Sequence, residues 1–569
     1  MKPILKIKKL LFIKDYYLLS SILFFSVCSM FMDIFSIGIL VPLFANLDKN
    51  IAFENEFLNN ILDFFSFEIF SDIKYLSIII ISIFVSKNIV YLTGRYLEAK
   101  FCYTFFTRLS KKFFSFYLFK NYSFHTNNNS AKLIRDITFE SNVLSYNFMQ
   151  PLISSLAECI SLIVILTFLF LLNPIATVSI LGFLIFIALT FNLVSKKYLN
   201  KLGKQRQLHS GLALKELQQS FSNLREIIIY KAQNFFVEKY DLHNSTNANT
   251  GFKSKFIYSI PRSILEISVI SAIIFLIFIM LSAKTSFTEI VLTLSIYVLS
   301  ASRMMPAITK IFANITTFMY TQKALNVVND DFLNFYRKNN FSKTKKFEFS
   351  KISLKNLSFK YPTSKNKIIN NINLDLKNND KIGILGPSGS GKSTLINIMS
   401  GLIHDYKGRI LINNKKIKNK NGLLNLNLGY VPQNSLTIDE SIEENIRLGR
   451  PKIKRQMYNK ILKTVELQKL NKRFNYNSNK SIGERGAKIS GGQNQRVGIA
   501  RALYNQPSVL ILDEALNAID TKTKSKILSN IFKLYSNKLI IIISHSKDDL
   551  KNCNKIFSIN NGKVTRIKY

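Results

Sequence analysis

The sequence predicts a membrane domain of six transmembrane α-helices followed by an α/β domain that contains a P-loop. Three observations support this prediction. The first half contains six apolar runs of about 20 residues, the length that crosses roughly 30 Å of hydrocarbon. In the second half, short apolar runs alternate with helical segments, as in a mostly parallel sheet. One of these runs is followed by GPSGSGKST at residues 386–394, which fits the glycine-rich pattern of a phosphate-binding loop.

Composition excludes several protein classes. A chain of 569 residues is long enough for more than one domain. Its net charge of +42 would suit a nucleic-acid partner, but 47% of its residues are hydrophobic and lie in long runs, so we expect no nucleic acid. Cys28, Cys102, Cys159 and Cys553 lie far apart without metal-ligand spacing, and we expect free thiols. No short apolar core precedes a small-residue cleavage site, so we expect no removable signal peptide.

The six apolar runs define the predicted spans. The second and fourth runs continue into polar sequence without a Gly/Pro cluster, so we expect them to extend as long helices. Asn173 and Pro174 form a tight break between the third and fourth. The spans are Tyr17–Leu43, Tyr75–Tyr96, Gln150–Leu172, Ile175–Ser195, Ile264–Ala283 and Phe287–Pro306.

Charge predicts the orientation of these spans. Five lysines lie within the first 14 residues, and residues 195–207 carry five basic residues and no acidic one. Residues 45–74 instead hold six acidic residues and two lysines. By the positive-inside rule, both termini and the long loops are cytoplasmic. Much of the positive charge then lies beside anionic membrane lipids.

Three segments outside the spans have patterns of their own. Within the acidic segment, Phe57, Ile61, Phe64 and Phe65 recur at helical spacing, which is typical of an amphipathic helix on the outer membrane surface; an ordinary loop remains the alternative. Residues 120–140 and 216–240 each interrupt a long cytoplasmic helical segment. We expect each to contain a short helix that contacts the second domain.

The P-loop predicts a nucleotide site. Backbone N–H groups of such a loop and the N-terminus of the following helix bind phosphate. We expect Lys392 to reach the β- and γ-phosphates of ATP and Ser393 to ligate Mg²⁺. The predicted loop residues are Gly386, Pro387, Ser388, Gly389, Ser390, Gly391, Lys392, Ser393 and Thr394.

Hydrophobicity decreases after about Lys323, and a charged stretch, RKNNFSKTKKFEFS at residues 337–350, follows the membrane domain. We therefore predict a membrane domain at 1–323, a linker at 324–346 and the second domain at 347–569.

Residues 347–569 resemble the nucleotide-binding domain of ABC transporters. The segments YVPQN, ISGGQ and VLILDE follow the P-loop in the order of that family. The resemblance implies that Tyr361 stacks on adenine and that Gln433 contacts Mg²⁺ and the γ-phosphate. It further implies that Asp513 binds Mg²⁺, that Glu514 polarises the attacking water and that His545 contacts the γ-phosphate. A carboxylate at the end of a buried strand is costly without a cation, which independently favours a metal beside Asp513.

The ISGGQ segment matches the family signature, and GERG at residues 483–486 resembles a loop that contacts the partner's coupling helix in exporters. By the resemblance, Ser490 and Gly492 bind the γ-phosphate held by the opposite subunit. The signature of one subunit must face the P-loop of another, and this chain has one of each. The family architecture therefore implies a homodimer. The signature residues in the predicted site are Ser490, Gly491, Gly492 and Gln493.

Two segments depart from the family pattern. Asn517 stands where the family usually has serine, while Asp520 remains, and the histidine segment reads SHSKDD. Neither change removes a catalytic group, so we expect both ATP sites of the dimer to be competent.

Basic residues in the spans suggest an anionic substrate. Lys87 lies about 18 Å along the second span and Arg303 about 21 Å into the last one, while Arg262 follows a proline at the cytoplasmic end of the fifth. A basic residue at the bilayer centre costs about 2.5–3.5 kcal/mol, so one without a function is unexpected there. Arg262 and Arg303 could instead reach the inner interface. A basic lumen would suit a pyrophosphate head group.

The stretches IPRSILE (260–266) and SRMMPAITKI (302–311), the acidic outer segment and the chain length resemble the PglK-type lipid-linked oligosaccharide flippases. The resemblance implies transport of a polyprenyl-pyrophosphate-linked oligosaccharide across the bacterial inner membrane, with Lys87, Arg262 and Arg303 meeting the pyrophosphate. That family has arginine where this chain has Lys87, which binds phosphate without the guanidinium fork.

Alternative functions remain open. The chain could export lipid A-like lipids or hydrophobic drugs, in which case stimulation of its ATPase would not need a pyrophosphate. Peptide secretion would be favoured by an N-terminal cysteine-peptidase domain, and the residues before Tyr17 leave no room for one. A soluble ATPase acting on nucleic acid would explain the charge but not six membrane spans.

Overall fold

The computed structural model describes residues 2–38, 73–172, 174–282, 287–337, 350–361, 364, 366–416, 426–476 and 480–567. They belong to two compact units, one comprising Met1–Lys120 and Phe124–Asn340 and the other Asn121–Ser123 and Phe341–Tyr569. The predicted surface helix around Phe57–Phe65 lies outside the described residues.

The described part of the first unit is helical, and six of the helices in it are longer than 20 residues. Two π-helical turns, Asp136–Glu140 and Val143–Met149, precede the long helix that begins at Gln150. A 3₁₀ turn, Gln322–Val327, follows the long helix that ends at Thr321. The α-helices are α1 (Lys2–Leu10), α2 (Ile13–Gly38), α3 (Ile73–Leu118), α4 (Tyr122–Asn127), α5 (Ser130–Arg135), α6 (Gln150–Leu172), α7 (Pro174–Ser222), α8 (Leu224–Ile229), α9 (Gln233–Ser282), α10 (Phe287–Thr321) and α11 (Asp330–Arg337).

The described part of each predicted span lies within one long helix: α2, α3, α6, α7, α9 or α10. Helices α3 and α7 are 46 and 49 residues long, which confirms that the second and fourth spans continue into polar sequence. Within the described residues, three helical stretches are long and apolar enough to cross a membrane: Ile13–Met32, Ser77–Leu118 and Ser130–Leu171.

The short helices predicted within residues 120–140 and 216–240 are present, while their cytoplasmic location stays a prediction. Residues 120–140 contain α4 and α5, and residues 216–240 contain α8. Their contact with the second domain stays a prediction.

Part of the segment predicted as a linker, 324–346, packs within the first unit. The Phe332 side chain is fully buried and stacks on Phe113 with ring centroids 4.1 Å apart. Tyr336 is also buried, and its hydroxyl donates to the Leu10 carbonyl at 3.2 Å. The sequence did not predict this packing, because its charged residues make the segment polar on average. Helix α11 buries one apolar face and exposes its other residues.

The second unit contains two sheets. The strands that the structure describes are β1 (Lys351–Phe359), β2 (Ile369–Lys377), β3 (Lys381–Leu385), β4 (Lys407–Ile412), β5 (Lys415–Lys416), β6 (Leu428–Val431), β7 (Val509–Asp513), β8 (Leu539–Ile543), β9 (Lys555–Asn560) and β10 (Lys563–Ile567). One sheet has four of them in the order β2-β1-β4-β5, and the other has six in the order β10-β9-β3-β8-β7-β6.

The six-stranded sheet is parallel except for the β9–β10 pair, as predicted. The four-stranded sheet is antiparallel and was not predicted. Only a short connection joins β1 to β2, and a parallel pair would need a crossover of a dozen or more residues.

Helices surround these sheets, and the parallel sheet positions the site. Strands β3, β6, β7 and β8 are parallel, so their carboxyl ends lie at one edge, where ligands bind in open α/β sheets. Every residue of β7 and β8 is buried, as expected of strands covered on both faces. The helices are α12 (Lys392–Met399), α13 (Ile442–Arg447), α14 (Arg455–Thr464), α15 (Gln468–Tyr476), α16 (Gly491–Leu503) and α17 (Thr521–Leu534).

Candidate functional site

The P-loop connects β3 to α12, and its glycines meet requirements that other residues would not. Gly389 and Gly391 have φ values of +77° and +103°, in the region that favours glycine. A Cβ atom on Gly391 would lie 2.9 Å from the Ile368 carbonyl oxygen. One on Gly386 would lie 2.4 Å from the Ile559 carbonyl oxygen. The sequence GPSGSGK therefore permits a tight loop in close contact with neighbouring backbone.

Polar groups of the P-loop fit an anion. Lys392 is 6% exposed, and its Nζ donates to the carbonyls of Gly386 at 2.8 Å and Pro387 at 3.0 Å. Ser390 is buried, and its Oγ has no hydrogen-bond partner among the described residues. A buried ammonium held by neutral carbonyls and an unpaired buried hydroxyl both favour an anionic ligand. The loop therefore fits the phosphates of ATP. Pro387, Ser388, Gly389 and Ser393 are exposed on it, while Thr394 is buried.

Asp513 ends β7 as a buried carboxylate. Burial raises its pKa, while a hydrogen bond from Tyr430 and the charge of Lys392 oppose that rise. The Tyr430 hydroxyl donates to Oδ2 at 3.2 Å. A buried carboxylate that interacts with Lys392 of the P-loop suits Mg²⁺, which prefers oxygen ligands. The exposed Ser393, next to Lys392 in the chain, offers a second oxygen ligand. The sequence does not predict the hydrogen bond from Tyr430 to Asp513, because this contact depends on the register of β6 against β7.

Glu514 follows at once and connects several segments. Its φ is +50°, an unusual value for a residue other than glycine. Gln433 Nε2 donates to its Oε2 at 2.8 Å, and His545 Nε2 lies 2.7 Å from its Oε1. Asn517 Nδ2 also donates to Oε2, at 3.3 Å. The structure thus brings Gln433, Glu514 and His545 together, and it adds Asn517, whose role was not predicted.

The unusual SHSKDD segment has a structural role. The Ser544 hydroxyl donates to Asp549 at 2.5 Å and accepts from the backbone N–H of Ser546 at 3.0 Å. Asp549 in turn forms an ion pair with Lys524 at 2.5 Å. These contacts fix the turn that presents His545.

The signature segment begins α16. Ser490 Oγ accepts from the Gln493 backbone N–H at 3.3 Å, and Gln493 Oε1 accepts from the Ser490 N–H at 3.0 Å. This capping box orders the first turn of the helix. A Cβ atom on Gly492 would lie 2.7 Å from the Ala518 carbonyl oxygen, so glycine is needed there. Ser490 and Gly491 are exposed, and no hydrogen bond among the described residues joins the signature to the P-loop of the same chain.

Tyr361 lies just after β1. Its ring packs edge-to-face on Phe359 with centroids 4.8 Å apart, and it is partly buried against the core of the second unit.

The three predicted substrate residues have different surroundings. Lys87 on α3 is 7% exposed, and its Nζ lies 5.7 Å from the centre of the Phe84 ring. The Arg262 side chain is 73% exposed and pairs with Glu266 at 3.0 Å. Arg303 lies on α10, and its side chain is outside the described set. A shared basic lumen therefore stays a prediction.

Comparisons with known proteins agree with this architecture. The family profile of the ABC transporter transmembrane region matches residues 19–302, and that of the ABC transporter matches residues 369–517. A structure of a bacterial Atm1-family ABC exporter with ATP bound superposes with a TM-score of 0.78 at 18% identity, over 97% of this chain and 94% of that one.

Two curated relatives differ in how much they match. A protein of Rickettsia typhi named as an export ATP-binding/permease protein is 38% identical over 37% of this chain and 37% of its own length, so the similarity spans well under half of that relative. An ATP-dependent lipid A-core flippase of Pseudoalteromonas translucida is 25% identical over 86% of this chain and 85% of its own.

The two family profiles together match most of the chain, and the fold matches an exporter over nearly its whole length. The chain belongs to the ABC transporter family: it is a membrane-embedded protein of exporter type, in which a helical transmembrane domain precedes an ATPase domain.

Proposed function

We propose that this chain forms a homodimeric, ATP-driven flippase that moves a polyprenyl-pyrophosphate-linked oligosaccharide across the bacterial inner membrane. The observation that carries the proposal is Lys87, a cation that α3 buries within an apolar segment. Ionisable residues within membrane spans are rare and usually mark the path of a substrate or ion. We assign Lys87 to the pyrophosphate of the lipid.

In the ATPase domain, we assign the chemistry to Glu514 and its neighbours. When bound, Mg-ATP supplies the phosphoanhydride that is hydrolysed. The P-loop residues and Lys392 would hold the phosphates, and Ser393 and Asp513 would hold Mg²⁺. Glu514 would accept a hydrogen bond from the attacking water. Gln433 and His545 contact the Glu514 carboxylate, and both would contact the γ-phosphate.

The exposed signature supports the proposed dimer. Ser490 and Gly491 are exposed on the chain that carries them. We assign the segment 490–493 to the nucleotide held by the P-loop of a second copy, so that each ATP site is shared between two subunits.

The substrate assignment is tested by lipid flipping in proteoliposomes. The probe is a polyprenyl pyrophosphate that carries an oligosaccharide, and the Glu514→Gln protein serves as the control without turnover. We expect flipping by the wild type alone. Lys87→Ala should lose flipping while it retains basal ATP hydrolysis, since Lys87 lies far from the ATPase motifs in sequence. Lys100→Ala changes an exposed lysine of the same helix and should flip normally. Unimpaired flipping by Lys87→Ala would reject the role of Lys87.

A second candidate is export of a lipid A-like lipid. It is favoured by the similarity to the lipid A-core flippase, which extends over most of both chains. The two candidates separate in one assay, because only the first requires a pyrophosphate for stimulation of ATP hydrolysis. Stimulation by lipid A and none by polyprenyl pyrophosphate would favour the second candidate.

A further inference from the structure

The first unit contains a polar cavity that none of the assignments above uses. It has a volume of about 100 Å³, is partly open, and lies among helices α2, α3, α6 and α10. Its walls combine apolar side chains with charged groups and hydroxyls. The polar residues that matter here are Ser29, Arg95, Glu98, Glu158, Ser161 and Lys310.

The charges of this cavity are balanced in pairs. Arg95 Nη1 donates to Glu98 Oε2 at 2.5 Å, and Lys310 pairs with Glu158. A ligand with a net charge would enter without a counter-charge, at a high desolvation cost. The cavity therefore favours a neutral polar ligand.

Glu98 indicates which chemical group a ligand of this cavity would supply. The residue is 5% exposed, and its Oε1 has no hydrogen-bond partner among the described residues. A buried carboxylate oxygen without a donor costs free energy that a ligand donor would recover. Ser29 is also buried at the cavity wall. A neutral donor beside serine hydroxyls is the chemistry of a sugar hydroxyl group.

The cavity shares one face of α3 with the proposed pyrophosphate contact. Lys87, Tyr91, Arg95 and Glu98 are spaced by four, four and three residues, which places them along one side of a helix. Lys87 and Glu98 are then about 16 Å apart along the axis. Under the predicted orientation, Glu98 lies on the cytoplasmic side of Lys87, where the sugar of an inner-leaflet lipid would extend.

We propose that this cavity binds hydroxyl groups of the sugar next to the pyrophosphate, with Glu98 Oε1 as the acceptor. The inference rests on the proposed function, since it names a second part of the same substrate. The competing explanation is a cavity that holds only water, since one water needs roughly 10–15 Å³.

The test compares two lipids on the intact protein in nanodiscs. The probes are a polyprenyl pyrophosphate that carries one hexose and the same lipid without a sugar, and the readout is the concentration that gives half-maximal stimulation of ATP hydrolysis. Glu98→Gln and Ser29→Ala should each raise that concentration for the glycosylated lipid, Glu98→Gln by about tenfold or more. Both should leave the bare lipid unaffected. Glu238→Gln, an exposed position on α9, should change neither.

The outcomes separate the two proposals. Equal shifts for both lipids, or none for either, would overturn the sugar site while the flippase proposal survives. A wild type that responds to neither lipid would reject the flippase proposal, and the sugar site with it. Inhibition by free hexose at the same site would assign the hydroxyl contacts to a soluble sugar. If the Glu98→Gln protein does not fold, Ser29→Ala still tests the sugar site, because removal of a single hydroxyl is a smaller change to the fold.

Discussion

The carboxylate of Glu514 contacts three side chains, two of them from segments that are remote in sequence and one from three residues further along the chain. Gln433 follows β6, Asn517 follows β7 and His545 follows β8. The backbone N–H of Glu514 also donates to the Ile543 carbonyl at 3.1 Å, which anchors its unusual φ. These contacts fix the position of the Glu514 carboxylate. A general base needs such a fixed position relative to the proton that it accepts.

Replacing Glu514 by glutamine should abolish turnover and preserve binding. The amide keeps the size of the side chain but cannot take up a proton, so we expect hydrolysis to fall by about 10²-fold or more. Phosphate release and equilibrium binding of ATP would measure the two effects. Glu443→Gln, at a partly exposed ion pair with Arg455, should hydrolyse ATP normally. A Glu514→Gln protein that turns over at the wild-type rate would remove Glu514 from this role.

Tyr430→Phe should move the acidic limb of the ATPase pH profile to higher pH. The Tyr430 hydrogen bond lowers the pKa of Asp513 against the effect of burial. Without it the pKa rises further, so the ionised carboxylate is lost at a higher pH as the solution is acidified. Initial rates between pH 5 and pH 8, at saturating and limiting Mg²⁺, would reveal the shift. Tyr406→Phe, another partly buried tyrosine, should leave the profile in place; an unchanged Tyr430→Phe profile would contradict the assignment.

At this scale the sequence predicted the groups that belong to contiguous motifs and missed those that depend on tertiary placement. Gln433 and His545, which the motifs contain, both contact Glu514, and the roles of all three toward ATP stay predictions. Tyr430 reaches Asp513 only because β6 pairs with β7, and Asp549 supports the His545 turn through Ser544. A local sequence pattern predicts neither which residues of two strands lie opposite each other nor which side chains hydrogen-bond across a turn.

Among the elements, α11 shows how composition and packing can disagree. Its sequence, DDFLNFYR, is polar on average, which is why the region was predicted as a linker. Its apolar residues nevertheless lie on one face and pack on α3. The long helices were predictable because apolar length is a strong signal, whereas a single amphipathic turn is not.

Phe332→Ala should destabilise the membrane domain. The side chain is fully buried against Phe113 and Phe116, and such truncations cost about 3–5 kcal/mol. We expect a lower midpoint of thermal unfolding in detergent or nanodiscs. Asn334→Ala lies on the exposed side of the same helix and should have little effect. Equal midpoints for the two variants would show that α11 contributes no stability.

At the scale of the whole molecule, the proposed dimer has two ATP sites, each formed by the P-loop of one subunit and the signature of the other. This arrangement predicts that two inactive variants, one in each motif, restore activity when they are combined in one dimer. Lys392→Ala and Ser490→Arg should each inactivate a dimer of identical chains. In a mixed dimer, one site carries both lesions and the other carries neither, so ATP hydrolysis should recover in part. Two affinity tags allow the mixed dimer to be purified after co-expression. A mixed dimer as inactive as its parents would mean that the signature does not act across subunits.

The placement of Tyr361 has a practical consequence. The chain contains no tryptophan, and Tyr361 lies just after β1 with its ring edge-to-face on Phe359. Tyr361→Trp would therefore introduce a single tryptophan at the proposed adenine contact, whose emission can be excited apart from that of the tyrosines. Its emission should be quenched or shifted when ATP is added, and it would report nucleotide occupancy in real time without a label.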